Sequence, residues 1–199
     1  HEDNPELVNA DGSLTEKGTA YIAKLDALTG VRYYRYRLGT WAAAEGLVYE
    51  EYDSAIHLVT VDMLVERRIL IRDATGRGKI NRDKVRRVVA GVDWGYTNPG
   101  VIHVWLVDND GRMYRVHEVY QTGRLIGWWA EKAKALKVQY GIGAFVCDPS
   151  EPAYIRQFND AGLRAVGAVN DIAPGIQAVK SRLVVQPDGL ARLYLVKGA

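Results

Sequence analysis

Val88-Val89-Ala90-Gly91-Val92-Asp93-Trp94-Gly95-Tyr96-Thr97-Asn98-Pro99-Gly100 is the stretch whose reading decides the fold. A short apolar run ends in one carboxylate, Asp93, and then breaks at once into Gly, Thr, Asn and Pro. Burying an unpaired charge is costly, so an acid at the end of an apolar strand calls for a partner or a metal. The pattern returns at Ala144-Phe145-Val146-Cys147-Asp148-Pro149, again an apolar run closed by Asp and a breaker. Two such aspartates can hold a divalent cation if their strands lie side by side. The competing reading of the same pattern is that both residues cap turns, as Asp before Gly or Pro commonly does.

The elements around these runs define the order of the fold. Strands are expected at 88–94, 100–107 and 112–119, joined by Asn98-Pro99-Gly100 and Asp108-Asn109-Asp110-Gly111. Turns this short imply antiparallel hairpins. Leu125, Trp128, Trp129, Lys132, Ala133 and Leu136 recur at three-to-four spacing, which predicts a helix over 125–140. A strand (144–148), a helix (151–161), a strand (163–168), a helix (174–184) and a last strand (191–196) complete the order. The expected class is therefore α/β, a mixed sheet of three antiparallel strands followed by parallel strands, flanked by helices. A helical crossover allows the fourth strand to lie parallel beside the first, with Asp93 and Asp148 at one sheet edge.

Upstream, Ser13-Leu14-Thr15-Glu16 reads as a capping box that starts a helix running to about Leu28, with Gly30 as its stop. Val31 to Leu38 reads as a strand, and a short strand is expected over Leu47 to Tyr52. Residues 58–87 read as a linker or insertion. Within them Val61 to Arg87 holds nine Lys/Arg against four Asp/Glu. Arg67, Arg68, Arg72, Arg77, Lys79, Arg82, Lys84, Arg86 and Arg87 could meet phosphates or could form an ordinary solvated face.

Composition narrows the classes. The chain has 199 residues, 48% hydrophobic and 25% charged, enough for a globular core, and its net charge of +2 alone points to no polyanion. One cysteine, Cys147, excludes an internal disulfide framework. No apolar run approaches the ~18 residues of a membrane span, so no membrane partner is expected. Gly76-Arg77-Gly78-Lys79 only echoes a phosphate loop, because Ile80 follows where Ser or Thr is required. His1 and the end at Ala199 read as the limits of a piece excised from something longer.

Gly91-Val92-Asp93-Trp94-Gly95-Tyr96-Thr97-Asn98-Pro99, Asp148-Pro149-Ser150-Glu151-Pro152 and Gly175-Ile176-Gln177-Ala178-Val179 together resemble a known family. It is the nuclease domain of the large terminase subunit of tailed bacteriophages, in the ribonuclease H-like superfamily. Asn4-Pro5, Tyr21 to Gly30, Gly39-Thr40-Trp41 and Glu45-Gly46-Leu47-Val48-Tyr49 resemble the end of that family's ATPase domain. The resemblance implies three regions: an ATPase-domain remnant over 1–57, the linker or insertion over 58–87, and a nuclease domain over 88–199, truncated at its C-terminus. It implies cutting of double-stranded viral DNA during packaging, with Mg²⁺ or Mn²⁺ on Asp93 and Asp148. It also implies a portal protein, a small terminase subunit and an ATPase domain of the same polypeptide as partners, and the host cytoplasm during virus assembly as the place. The family's third acidic ligand normally follows the last strand, and no residue up to Ala199 matches it. Asp171, Glu118 and Glu151 are the further acids considered for the metal shell, each with a plain structural role as the alternative.

Two other readings compete. Asp93-Trp94-Gly95-Tyr96-Thr97 also fits the Asp-x-Gly-x-Thr phosphate loop of sugar-kinase and actin-like ATPases, although Asp148-Pro149-Ser150 lacks the glycine of their second loop. A non-catalytic DNA-gripping or docking module with vestigial aspartates is the third.

Overall fold

Alternating burial along two apolar runs sets the architecture. A computed structural model describes residues 4–28, 33–39, 47–76 and 78–198. The chain divides into two compact units, 1–50 and 51–199.

The first unit contains helix α1 (Glu16–Asp26). Its cap is Thr15 rather than Ser13: the Thr15 side chain accepts from the Gly18 amide, while Ser13 is tied to Asp11. Leu7 and Leu25 are the buried apolar residues described here. The strand expected over Val31 to Leu38 is instead a π-helical turn over Tyr33–Arg37, with 31 and 32 outside the described residues. No neighbouring strand is described that could take the backbone groups of this segment, and the Leu38 amide bonds locally to the Tyr33 carbonyl at 3.3 Å. Val48–Glu51 likewise form a turn where a strand was expected.

The second unit runs α2 (Ser54–His57), β1 (Leu58–Val59), α3 (Val61–Glu66), β2 (Leu70–Arg72), β3 (Gly78–Ile80) and β4 (Val85–Asp93). It continues with β5 (Gly100–Asp108), β6 (Met113–Gln121), α4 (Ile126–Tyr140), β7 (Ala144–Cys147) and α5 (Pro152–Asp160). β8 (Ala165–Gly167), α6 (Ile172–Leu183) and β9 (Leu193–Val196) complete it. The main sheet has the order β1-β9-β6-β5-β4-β7-β8, and β2 and β3 form a separate hairpin. The β4–β5–β6 meander is antiparallel, and the strands added on either side of it are parallel. This is the mixed sheet read from the sequence.

One face of the sheet carries the core. Ala90, Val92, Ile102, Val104, Leu106, Phe145 and Cys147 are buried together with Trp129, Ala130, Ala133 and Leu136 of α4 and Phe158 of α5. The helical residues fall at i, i+1, i+4 and i+7, the apolar stripe a sheet-packed helix needs. Leu125, expected on that stripe, lies just outside the helix and is exposed.

Residues 58–87 are folded into this unit. β1 pairs in parallel with β9, and Val59, Leu64 and Ile69 belong to the core. Several of the basic residues are engaged within the fold. The Arg67 guanidinium lies 4.7 Å from the centre of the Tyr194 ring, Arg72 pairs with Asp62, and Arg82 donates to the Tyr140 carbonyl at 2.8 Å. A two-residue strand is too short to show a period, and its pairing partner lies more than 130 residues away, so local pattern gave no sign of it.

Leu64 is fully buried. Leu64→Ala is therefore expected to destabilise the unit by about 2–5 kcal/mol. Chemical denaturation checks this; an unchanged midpoint would return the segment to the status of a linker.

Candidate metal centre

β4 and β7 bring the two aspartates together. The parallel register pairs Val89 with Ala144, Ala90 with Phe145, Gly91 with Val146 and Val92 with Cys147. Asp93 and Asp148 each follow the last pair, and the Asp148 amide donates to the Val92 carbonyl at 2.9 Å. Neighbouring strands lie about 4.8 Å apart, so the two residues share one rung of the ladder. Val92 and Cys147 point into the core, and strand alternation turns Asp93 and Asp148 to the opposite face. That face is more open, with Val146, Val166 and Tyr120 substantially exposed.

The backbone beyond Asp93 leaves no room for side chains. A Cβ on Gly95 would stand 2.5 Å from Asn98 O and from Gly100 N, and one on Gly100 would stand 2.8 Å from Trp129 Cζ2. These glycines let the chain fold back sharply after delivering the carboxylate.

The Asp148 carboxylate is held in place. It accepts from the Ser150 amide at 3.1 Å and from the Ser150 hydroxyl at 2.6 Å, with the Asn170 amide nitrogen 3.5 Å away. Trp94, next to Asp93, donates its indole N–H to the Asp148 carbonyl at 2.8 Å, a cross-brace between the two strand ends. The Trp94 ring meets Tyr154 and Phe158 edge-on at centroid distances of 5.5 and 5.1 Å. Asp93 is exposed, and its carboxylate has no hydrogen bond or ion pair among the described residues.

Two carboxylates at the ends of neighbouring strands repel each other unless a cation lies between them. A divalent cation between them removes that repulsion. Mg²⁺ is commonly held by one or two carboxylates and keeps several waters, so an oxygen-only pair on an open face suits it.

The other acids take different places. Glu118 is paired in register with His103, which is paired with Gly91, so it sits two strands from β4 and two rungs short of Asp93. Its carboxylate is engaged by Arg115 at 2.5 Å and His103 at 2.7 Å. Glu151 is the first residue before α5 and makes no side-chain cap. Asp171 stands at the N-terminus of α6, also without a side-chain cap, and its neighbour Asn170 is the residue near Asp148. No group of three or more His, Cys, Asp or Glu suited to a metal occurs among the described residues.

The basic segment lies elsewhere. Exposed Lys84, Arg86 and Arg87 stand at the start of β4, whose nine residues end at Asp93, about 20–30 Å away. Arg68 and Lys79 are exposed, and Arg77 lies outside the described residues. Sequence reading missed Trp94, Ser150 and Asn170 as contacts of Asp148. The Asp-x-Ser spacing was the available signal for Ser150, as an Asx-type turn.

Cys147, one residue before Asp148, is fully buried, and burial pushes its thiol up to about 11. An unfolded thiol titrates near 8.5, so between about 8.5 and 11 the native state holds the proton more tightly than the unfolded state. Stability from this group is complete below that window and falls as pH rises through it. Denaturation midpoints measured across the window should decline more steeply for the native chain than for Cys147→Ala; equal slopes would contradict the buried thiol.

Among solved structures, the chain is similar to the large terminase from the thermophilic bacteriophage D6E in complex with ATP-γ-S. The TM-score is 0.58 at 21% identity, over 94% of this chain and 43% of that one. It is also similar to the P22 large terminase nuclease domain, with a TM-score of 0.54 at 14% identity over 77% and 74% of the two chains. A third is the large terminase nuclease from thermophilic phage G20c with bound magnesium, with a TM-score of 0.53 at 16% identity over 77% and 76%. No family model and no curated protein matches the chain. The chain thus has the ribonuclease H-like fold of large terminase nuclease domains, and it spans less than half the length of the D6E protein.

Proposed function

We propose that this chain carries the nuclease of a large terminase subunit, a metal-dependent endonuclease that cuts double-stranded viral DNA during genome packaging. The observation that carries this reading is the β4–β7 register, which sets Asp93 and Asp148 on one rung at an open sheet face. The fold shared with large terminase nucleases supports it, as does the magnesium bound in the G20c nuclease.

Asp93 and Asp148 would hold Mg²⁺ or Mn²⁺ through carboxylate oxygens. The ion, when bound, supplies Lewis-acid activation of water and stabilises the leaving oxygen of a phosphodiester. Ser150 fixes the rotamer of Asp148, and Trp94 fixes the spacing of the two strand ends. A bond forms from the water oxygen to phosphorus as a phosphorus–oxygen ester bond breaks, leaving a phosphate monoester and a hydroxyl end, with one proton of the water balanced by the one the leaving oxygen gains and the other released to solvent. The exposed Lys84, Arg86 and Arg87 would touch phosphates well away from the cut, without reading sequence.

The remainder of the assignment concerns the whole protein. An ATPase domain in the same polypeptide, a portal protein and a small terminase subunit would be its partners, in the host cytoplasm during virus assembly. Among the described residues, no helix is long and apolar enough to cross a membrane.

Asp93→Asn and Asp148→Asn should each stop conversion of supercoiled plasmid to nicked and linear forms in Mn²⁺ while leaving the circular dichroism spectrum unchanged. Undiminished cutting by both variants would sink the metal centre. Trp94→Phe, which removes the brace together with part of the ring packed against Tyr154 and Phe158, should weaken Mn²⁺ binding by about 10–100-fold, the usual cost of losing a group that orients a ligand. Calorimetric titration with Mn²⁺ measures this directly, and unaltered affinity would show that the brace does not position Asp148.

A further inference from the structure

At the end of the sheet that carries the carboxylate pair, on the side of α4 and α5, lies a cavity of about 400 Å³ that the hydrolysis proposed above does not use. Its walls come from the turn after Asp93, the start of α4 and the start of α5, and include Trp94, Tyr96, Arg124, Trp129, Ser150 and Tyr154. Ser150 connects it to the metal centre, since its hydroxyl bonds to the Asp148 carboxylate.

Three observations give the cavity a chemical preference. Arg124 stands 5.1 Å from the centre of the Trp128 ring and has no ion pair among the described residues, so a cation is held at the rim with its charge unspent. The N-termini of α4, with 15 residues, and α5, with nine, meet here, and neither has a side-chain cap. Helix N-termini present N–H groups and partial positive charge, which suits an anion. Trp129 is only 3% exposed, and its indole N–H is buried without a partner. Trp129 also lines the cavity, and a buried donor left unpaired calls for an acceptor. Glu151 opposes these groups as the one acid of the lining among the described residues. Tyr96, 59% exposed on the same wall, adds a flat apolar surface of the kind on which bases stack.

We propose that this cavity seats one nucleotide of the DNA strand next to the scissile phosphodiester, its phosphate at Arg124 and the two helix ends and its base against Tyr96. The Trp129 indole N–H donates to an oxygen of that nucleotide. This assignment rests on the nuclease reading for the identity of the strand. It concerns binding and positioning, and Arg124 and Tyr96 take no part in holding the metal.

The test separates the two readings. In EDTA, deoxyadenosine 5′-phosphate is titrated into the ¹⁵N-labelled chain, and the indole N–H signals of Trp94 and Trp129 are followed, assigned with Trp→Phe variants. Both signals should shift, inorganic phosphate alone should bind more weakly, and Arg124→Ala or Tyr96→Ala should weaken nucleotide binding by about tenfold. In a second arm, the same two variants should raise KM for duplex cleavage in Mn²⁺ while Asp93→Asn keeps nucleotide binding intact. Indole signals that stay still, or shift alike in wild type, Arg124→Ala and Tyr96→Ala, would overturn the subsite. If the subsite variants behave as wild type while Asp93→Asn is inactive, the subsite falls and the nuclease stands. If nucleotide binding depends on Arg124 and Tyr96 but Asp93→Asn and Asp148→Asn cut normally, the metal centre falls and the cavity remains a nucleotide site.

Discussion

The hydrogen bond from the Asp148 amide to the Val92 carbonyl is the contact on which the candidate site depends. It extends the parallel β4–β7 ladder by one step and sets the two aspartates level. Side chains alternate along a strand, so a slip of one residue would turn Asp148 into the core and lift Cys147 out of it. Val92, Cys147, Phe145 and Ala90 are all buried, and that burial pins the register. The apolar face thereby sets the geometry of the polar one.

This division explains what could be read in advance. Asp93 and Asp148 were legible because each ends an apolar run and precedes a breaker, a signal contained within a dozen residues. The meander, the crossover and the parallel pairing followed from turn length and element order. The segment 58–87 was illegible because β1 is two residues long and is stabilised by β9, far along the chain. Val31 to Leu38 carries residues suited to a strand, yet the part described forms a π-helical turn; propensity without a pairing partner does not make a strand. Asn170 reaches Asp148 only because β8 lies beside β7, a fact of topology that no local motif contains.

Electrostatics follows the same sheet. β4 begins among exposed Lys84, Arg86 and Arg87 and ends at Asp93, so one strand separates basic from acidic surface. Arg67, Arg72 and Arg82 are engaged by a ring, a carboxylate and a carbonyl, so fewer guanidiniums are free to reach a phosphate than the residue count suggested. A run of arginines is a statement about composition until each guanidinium has been traced to its partner.

The indole of Trp94 belongs to two systems at once. Its N–H grips the carbonyl of Asp148, while its ring edge is wedged against Phe158, which itself packs against Phe145 beneath the sheet. Stiffness at the carboxylates is therefore borrowed from the interior, with no separate scaffold to supply it. A change confined to the aromatic cluster would register at the surface as a looser bite between two oxygen donors. Drift in the hydrophobic core and drift in the site are, for this fold, the same event.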